Sequence, residues 1–409
     1  MRVTGIIAEF NPFHNGHRYL IDRVRSELCP DCIVVVMSGN FVQRGEPALW
    51  GKWTRAACAV QNGVDLVLEL PVCFALNSGE SFARGGIAIL KGLGATTHLA
   101  FGSESGELAA LERAAESLAT ESEEFTGHLQ DALATGMSYP AAYEQAARRH
   151  PDLDCGIVEA LLGGPNDILA LEYIKQAYLQ DAEFAFYPVR RVGARHDAPG
   201  TGMLTSASSI RQRILDGQPF SDWSSSVPKA SAAVLKDSVC LDQEAMGRYA
   251  TIVRYAAVTK SAEEIKQLIS VSEGLENRIK AAATRATSLE ELIALVKTKR
   301  YTHARISRIF AQLALCLDRL SFERIESEQA YYARVLALNR RGAQLLRDVQ
   351  ESSARIPVYA NLKQAADAPE AIVSSLSWDC VASDLYSILA GRSVYEGSDY
   401  VMTPRFIDR

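Results

Sequence analysis

Phe10-Asn11-Pro12-Phe13-His14-Asn15-Gly16-His17 decides the reading of this chain. It follows an apolar run, Val3 to Ala8, that reads as a first β-strand. It precedes Arg18 to Glu27, whose apolar spacing is helical. Two histidines three residues apart, with Gly16 between them, therefore stand where a strand ends and a helix begins. A helix start offers free backbone N–H groups and the positive end of the helix dipole, which suit a phosphate. Gly16 has no side chain, so a nucleotide can approach the backbone closely. His14 and His17 can both point at the same phosphate, one from the loop and one from the first turn. A turn with one core histidine and one capping histidine is the plainer reading of the same residues.

Outward from this loop, strands and helices alternate. Cys32 to Met37 is a continuous apolar run of the kind buried in a parallel sheet. Ser38 to Gly45 is a polar loop, Trp50 to Gln61 a helix and Val64 to Leu70 a third strand stopped by Pro71. Ser81 to Leu93 reads as a helix, Thr97 to Phe101 as a fourth strand and Phe184 to Val189 as a fifth. This spacing predicts βαβ units and an α/β, doubly wound parallel sheet, whose ligands sit past the carboxyl ends of the strands. The loops at 9–17, 38–47 and 102–105 all fall on that edge. Residues 106–160 read as a mostly helical insertion. Gly163 to Asp167 leads into the helix Ile168 to Tyr178, with Asn166 as its expected N-cap.

A second constellation follows the fifth strand. Arg190 and Arg191 are succeeded by Thr205-Ser206-Ala207-Ser208-Ser209-Ile210-Arg211-Gln212-Arg213, hydroxyls and arginines opening another helix. Hydroxyls, free N–H groups and arginine together make a phosphate clamp; a serine-rich cap with surface arginines is the plainer alternative. Gly217, Pro219 and Ser224 to Ser226 mark a linker, after which the alternation stops and residues 225–352 read as almost wholly helical. The expected domains are therefore 1–218, carrying the nucleotide site, and 225–409, mostly helical.

Composition narrows the function. The 409 residues suffice for two or three domains, and 48% hydrophobic with 22% charged residues are ordinary values for a soluble protein. No run approaches the roughly 20 apolar residues of a membrane span, and no signal-peptide pattern opens the chain, so a cytoplasmic enzyme without a membrane partner is expected. A net charge of −6 excludes a generic polyanion binder. Any nucleic-acid surface must be a local basic patch. The best one is Lys297, Lys299, Arg300, His303, Arg305 and Arg308 with Tyr301, read as lying on a helix; Arg340, Arg341 and Arg347 form a second group. Cys29-Pro-Asp-Cys32 is the only C-x-x-C among eight cysteines, and without a second pair it makes no metal site.

Taken together, the motifs carry a family resemblance. His14-Asn-Gly-His17 resembles the HxGH signature of the HIGH nucleotidyltransferase superfamily. Ser206 to Arg211 resembles the Ser-Ser-Thr-x-Ile-Arg signature of its adenylyltransferases, with Ala207 replacing the second serine and one hydroxyl contact. Gly5 to Leu20, Met37 to Phe41 with Gln43 to Pro47, Asn62 to Leu66 with Glu69 to Pro71, and Gly164 to Ala170 together resemble the bacterial tRNA(Met) cytidine acetate ligase family. Lys299 to Arg308 is similar to that family's helical segment.

The resemblance implies a Rossmann-like ATP domain and an ATP-dependent ligase. Such an enzyme activates acetate as acetyl-adenylate and acetylates N4 of the wobble cytidine of elongator tRNA(Met). DNA is not an expected partner. The implied ATP-binding positions are Ile7, Ala8, Glu9, Phe10, Asn11, Pro12, Phe13, His14, Asn15, Gly16, His17, Arg18, Tyr19 and Leu20. Gly102, Asn166, Ser206 and either Arg190 or Arg191 join them. His14, His17, Ser208 and Arg211 are the implied catalytic group. Mg²⁺ is expected with the phosphates, without protein ligands. Arg44 is a candidate partner for the acetate carboxylate, or simply ties its loop to Glu46. Lys297, Lys299, Arg300, Arg305 and Arg308 are the candidate tRNA contacts. The alternative is a small-metabolite adenylyltransferase of the nicotinamide mononucleotide or pantetheine-phosphate type. A class I aminoacyl-tRNA synthetase lacks support, because no Lys-Met-Ser-Lys-Ser loop is present.

Overall fold

The computed structural model describes residues 1–119, 122–151, 153, 158, 164–191 and 205–408. Gly163 and parts of the 106–160 insertion lie outside the described residues. The central sheet begins with β1 (Val3–Ala8) and β2 (Cys32–Ser38), paired in parallel. The hairpin β3 (Phe41–Val42) and β4 (Glu46–Pro47) stands apart from the sheet at the end of β2. The sheet continues through β5 (Leu66–Leu70), β6 (Thr96–Ser103) and β7 (Ala185–Arg190). Spatially the order runs β5-β2-β1-β6-β7, all parallel, with helices as crossovers. Winding reverses at β1, so the switch point of the sheet, where ligands bind in such folds, is the end of the strand that carries Phe10 to His17. Ile33 to Met37 have no exposed surface, as the unbroken apolar run of β2 requires when helices cover both faces.

The C-terminal half is corrected in one respect. Residues 229–327 are helical as expected, from Lys229–Asp237 through Arg319–Ser327. The sheet is then completed by β8 (Ala333–Leu338), antiparallel to β5, with β9 (Val358–Tyr359) and β10 (Arg405–Phe406) parallel to β8. The expected boundary at 217–228 thus leaves three strands of the first sheet on its far side. A buried ion network joins these late residues to the early ones. Lys52 Nζ lies 2.7 Å from Glu69 and 2.7 Å from Asp399, and Arg334 of β8 reaches Glu69 and Asp399 at 3.6 and 3.5 Å. All four side chains are almost wholly buried. Removing one member would strand a buried charge, at about 3–5 kcal/mol. No described helix is long and apolar enough to cross a membrane.

Candidate active site

The loop after β1 is held by buried groups before any ligand is considered. Phe10 adopts a left-handed backbone conformation, φ 50°, which a non-glycine residue keeps only when its surroundings hold it there. Its ring is buried and meets the rings of Phe13 and His17, each at 4.8 Å. Arg55, fully buried, donates to the carbonyls of Glu9, Ser38, Gly39 and Trp50 and so ties the ends of β1 and β2 together. Asn11 Oδ1 accepts the Leu49 N–H at 3.0 Å.

His14 caps the helix Asn15–Arg23 by a reciprocal arrangement with His17. Nδ1 of His14 accepts the Gly16 N–H at 2.9 Å, and Nδ1 of His17 accepts the His14 N–H at 3.2 Å. The rings stack with centroids 3.8 Å apart. A neutral imidazole whose Nδ1 accepts carries its proton on Nε2. Among the described residues neither Nε2 has a protein partner, so both N–H groups remain for a ligand. Burial, with the guanidinium groups of Arg191 and Arg211 nearby, lowers His14 to about 4. Burial, then His14 and Arg191, hold His17 well below its ordinary value. Two neutral donors result, not two cations. Gly16 also makes room for His14: an added Cβ would meet the His14 ring at 2.7 Å. The space beside it belongs to His14.

The second constellation reaches this loop. Arg211 Nη1 donates to the Asn11 carbonyl at 2.9 Å, Nη2 lies 3.4 Å from Ser208 Oγ, and Glu46 stands 3.3 Å away. Arg211, Ser208 and His14 are therefore brought together across nearly 200 residues of sequence. The Ser206 hydroxyl accepts the Ser209 N–H at 3.2 Å, so it caps the helix Ala207–Leu215. Arg191 sits beside both histidines, donates to Asn166 Oδ1 at 3.2 Å, and lies 3.6 Å from where a Cβ on Gly102 would be. Arg190 is exposed, its stem against Gly106. Geometry gathers Gly102, Asn166 and Arg191, and leaves Arg190 out.

Asn166 is not an N-cap. Gly164 holds that position with Pro165 first in the helix Pro165–Leu179, because Glu104 supplies the capping carboxylate to the backbone N–H groups of Asn166 and Asp167, at 3.2 and 2.8 Å. Asp167 in return accepts from the backbones of Glu104 and Ser105 at 3.0 and 2.9 Å. This exchange frees Asn166 Oδ1 for Arg191. Sequence reading missed it because the partners are about 63 positions apart.

The basic segment is partly spent inside the protein. Lys297, Lys299 and Arg300 precede the helix His303–Leu315 instead of lying on it. Lys297 and Lys299 are exposed and line an open cleft of about 690 Å³ with Tyr301, His303 and Ser138 of the insertion. Arg300 pairs with Glu273 at 2.9 Å. Arg305 lies over the Tyr301 ring at 5.0 Å and donates to Ser270 and Ser272. Arg308 is turned inward, donating to the Gln43 carbonyl at 3.1 Å, and burial lowers it to about 10. Arg340 pairs with Asp408 at 2.8 Å. Arg44 is exposed and does not tie its loop to Glu46, whose carboxylate faces Arg211 instead.

Paired histidine donors and two arginines, at the switch point of a doubly wound sheet, are the equipment of an enzyme that handles a nucleoside triphosphate. The comparisons agree with that class. The model of the HIGH Nucleotidyl Transferase family matches residues 1–399. The tRNA(Met) cytidine acetate ligase of Syntrophomonas wolfei is 34% identical over 415 residues, 99% of each chain. That of Clostridium kluyveri is 35% identical over 419 residues, 100% of each chain. The crystal structure of Thermotoga maritima TmcAL bound with alpha-thio ATP matches with a TM-score of 0.91 at 29% identity, covering 100% of both chains. The chain belongs to the tRNA(Met) cytidine acetate ligase family of the HIGH nucleotidyl transferases.

Proposed function

We propose that this protein is an ATP-dependent ligase that activates acetate and transfers the acetyl group to N4 of the wobble cytidine of elongator tRNA(Met). The observation that carries the reading is the pair of neutral histidines with free Nε2–H groups beside Arg191 and Arg211. Acetate attacks the α-phosphorus of ATP in line, giving acetyl-adenylate and pyrophosphate. The enzyme's task in that step is to position two anions and to meet the negative charge of the transferring phosphoryl group. His14 and His17 donate to the phosphate oxygens. Arg211, with Ser208, exchanges its Glu46 contact for the leaving pyrophosphate, and Asn166 holds Arg191 toward the nucleotide. The Ser206 hydroxyl acts by fixing the start of the helix that carries Ser208 and Arg211.

Among the described residues no three His, Cys, Asp or Glu side chains cluster to hold a metal ion. Mg²⁺ accompanying ATP would supply neutralisation of phosphate charge beside His14, His17 and Arg211. Arg44, exposed and close enough to influence Glu9 and Arg211, is the proposed acetate partner. The helical region from residue 225 carries tRNA, with Lys297 and Lys299 as its free cations. The relatives support this ligase over the small-metabolite adenylyltransferase.

The test is ATP–pyrophosphate exchange with and without acetate, followed by acetylation of elongator tRNA(Met). Acetate-dependent exchange and an acetylated wobble cytidine are expected. Exchange that responds to nicotinamide mononucleotide or pantetheine phosphate, and not to acetate, would overturn the reading.

A further inference from the structure

The transfer step releases a proton that the groups assigned above cannot take. Each histidine Nδ1 already accepts a backbone N–H and each Nε2 carries a proton. Once pyrophosphate has left, Glu46 again faces Arg211, and Glu104 and Asp167 are engaged in holding one another's backbones. One carboxylate at the site is unaccounted for. Glu9 is the first residue after β1, between that strand and the left-handed Phe10. Its Oε1 accepts the Gln43 N–H of the 38–47 loop at 2.7 Å, and among the described residues that is the only hydrogen bond to its carboxylate.

From this geometry we infer that Glu9 is a catalytic residue of the second half-reaction: its free oxygen accepts a hydrogen bond from the cytidine N4 amine and receives the proton that the amine loses. The inference rests on the acetyl-transfer reading above. The N4 electron pair attacks the carbonyl carbon of acetyl-adenylate and a C–N bond forms. The C–O bond to phosphate breaks, AMP departs with that electron pair, and the N4 proton passes to Glu9 and then to solvent.

Three features fit this role. A carboxylate repels phosphate oxygens, so the implied place of Glu9 in the ATP loop does not use its side chain on them, and that side chain beside Arg211 is open to another partner. An amine donor is the group on cytosine that a carboxylate reads, which also separates cytidine from uridine. Burial lifts the Glu9 carboxyl above its ordinary value, against the Gln43 N–H, Arg211 and Arg44, with Glu46 acting in the same direction as burial. A base raised toward neutrality is better matched to its task than an ordinary glutamate. The groups that influence it are Arg44 and Glu46 from the hairpin and Arg211 from the helix Ala207–Leu215. Tyr173 from the helix Pro165–Leu179 also feels its charge, and Arg55 binds its backbone carbonyl.

The test is Glu9→Gln in the full chain, which keeps an oxygen to accept the Gln43 N–H. Two readouts separate the steps. Acetyl-adenylate formation is followed by acetate-dependent pyrophosphate exchange and by trapping with hydroxylamine, a nucleophile that needs no base. Transfer is followed by single-turnover acetylation of elongator tRNA(Met) across pH. The expected result is a loss of about 100-fold or more in transfer, with a much smaller change in exchange and trapping. The acidic limb of the wild-type transfer profile should disappear, and Glu9→Asp should restore part of the rate. An equal loss in both steps would overturn the role, as would transfer that keeps its rate and its acidic limb. Absence of acetate-dependent exchange in the wild type would instead sink the acetyl-adenylate reading itself.

Discussion

The loop at the end of β1 and the basic segment at 297–308 place charge in opposite ways. The loop draws its groups from distant sequence, His14 and His17 meeting Arg191 and Arg211. Backbone partners fix both histidine Nδ1 atoms and Asn11 Oδ1, leaving the two Nε2–H groups and one Glu9 carboxylate oxygen to face a ligand beside the arginines. The basic segment is contiguous in sequence, yet its cations disperse. Arg300 goes to Glu273, Arg305 to Ser270 and Ser272, and Arg308 to Gln43, while Lys297 and Lys299 stay exposed. A run of like residues is thus a weak guide to a shared surface, and distant residues that satisfy one another's backbones are a strong guide to a site.

The largest expected effect breaks the first region. His17→Ala removes one donor and half of the reciprocal cap, and acetate-dependent pyrophosphate exchange should fall by about 100- to 1000-fold, as when one preorganised donor is lost from a developing anion. An exchange rate within threefold of wild type would mean that the paired histidines only cap the helix.

A smaller effect sharpens the second region. Replacing both Lys297 and Lys299 by Ala should weaken tRNA binding several-fold and flatten its salt dependence by about two charges, with exchange in the absence of tRNA unaltered. Arg300→Ala should do less, because that guanidinium is already paired with Glu273. Arg308→Ala should act differently, lowering exchange through the 38–47 loop it supports and leaving the salt slope alone. Filter binding at several salt concentrations reads the binding and the slope of all three variants, and pyrophosphate exchange reads the rest. Equal slopes for the lysine and Arg308 variants would erase the distinction drawn here.

Much of this was legible beforehand, for reasons that differ between elements. β1 and β2 are short apolar runs bounded by turn residues, and burial on both faces leaves no polar alternation to misread. The two candidate phosphate motifs were legible as helix starts, because His14 and Ser206 each cap the helix that follows. β8 was not legible. Ala333-Arg-Val-Leu-Ala-Leu338 has one β-branched residue and good helix formers otherwise; pairing with β5 overrides that preference. β9 and β10 span two residues each and carry no period. The Glu104–Asp167 exchange and the inward turn of Arg308 depend on tertiary neighbours that no local window contains.

The smallest effect concerns how the two histidines stay neutral, and its sign follows from burial. In the unfolded chain a histidine titrates near 6.5, whereas burial and neighbouring guanidinium groups hold His14 at about 4, and burial, then His14 and Arg191, hold His17 well below its ordinary value. Between about pH 4 and 6.5 the unfolded state therefore binds more protons than the folded one. Stability rises with pH across that window, is complete above 6.5, and is lost as pH falls toward 4. Urea unfolding of wild type and His14→Asn, a residue that can still cap the helix, at pH 7.5, 6.0 and 5.0 checks this. The variant should lose less stability between 7.5 and 5.0 than the wild type does. Parallel losses would mean that His14 titrates alike in the folded and unfolded chain, which would remove the contrast between a buried neutral site and a charged surface.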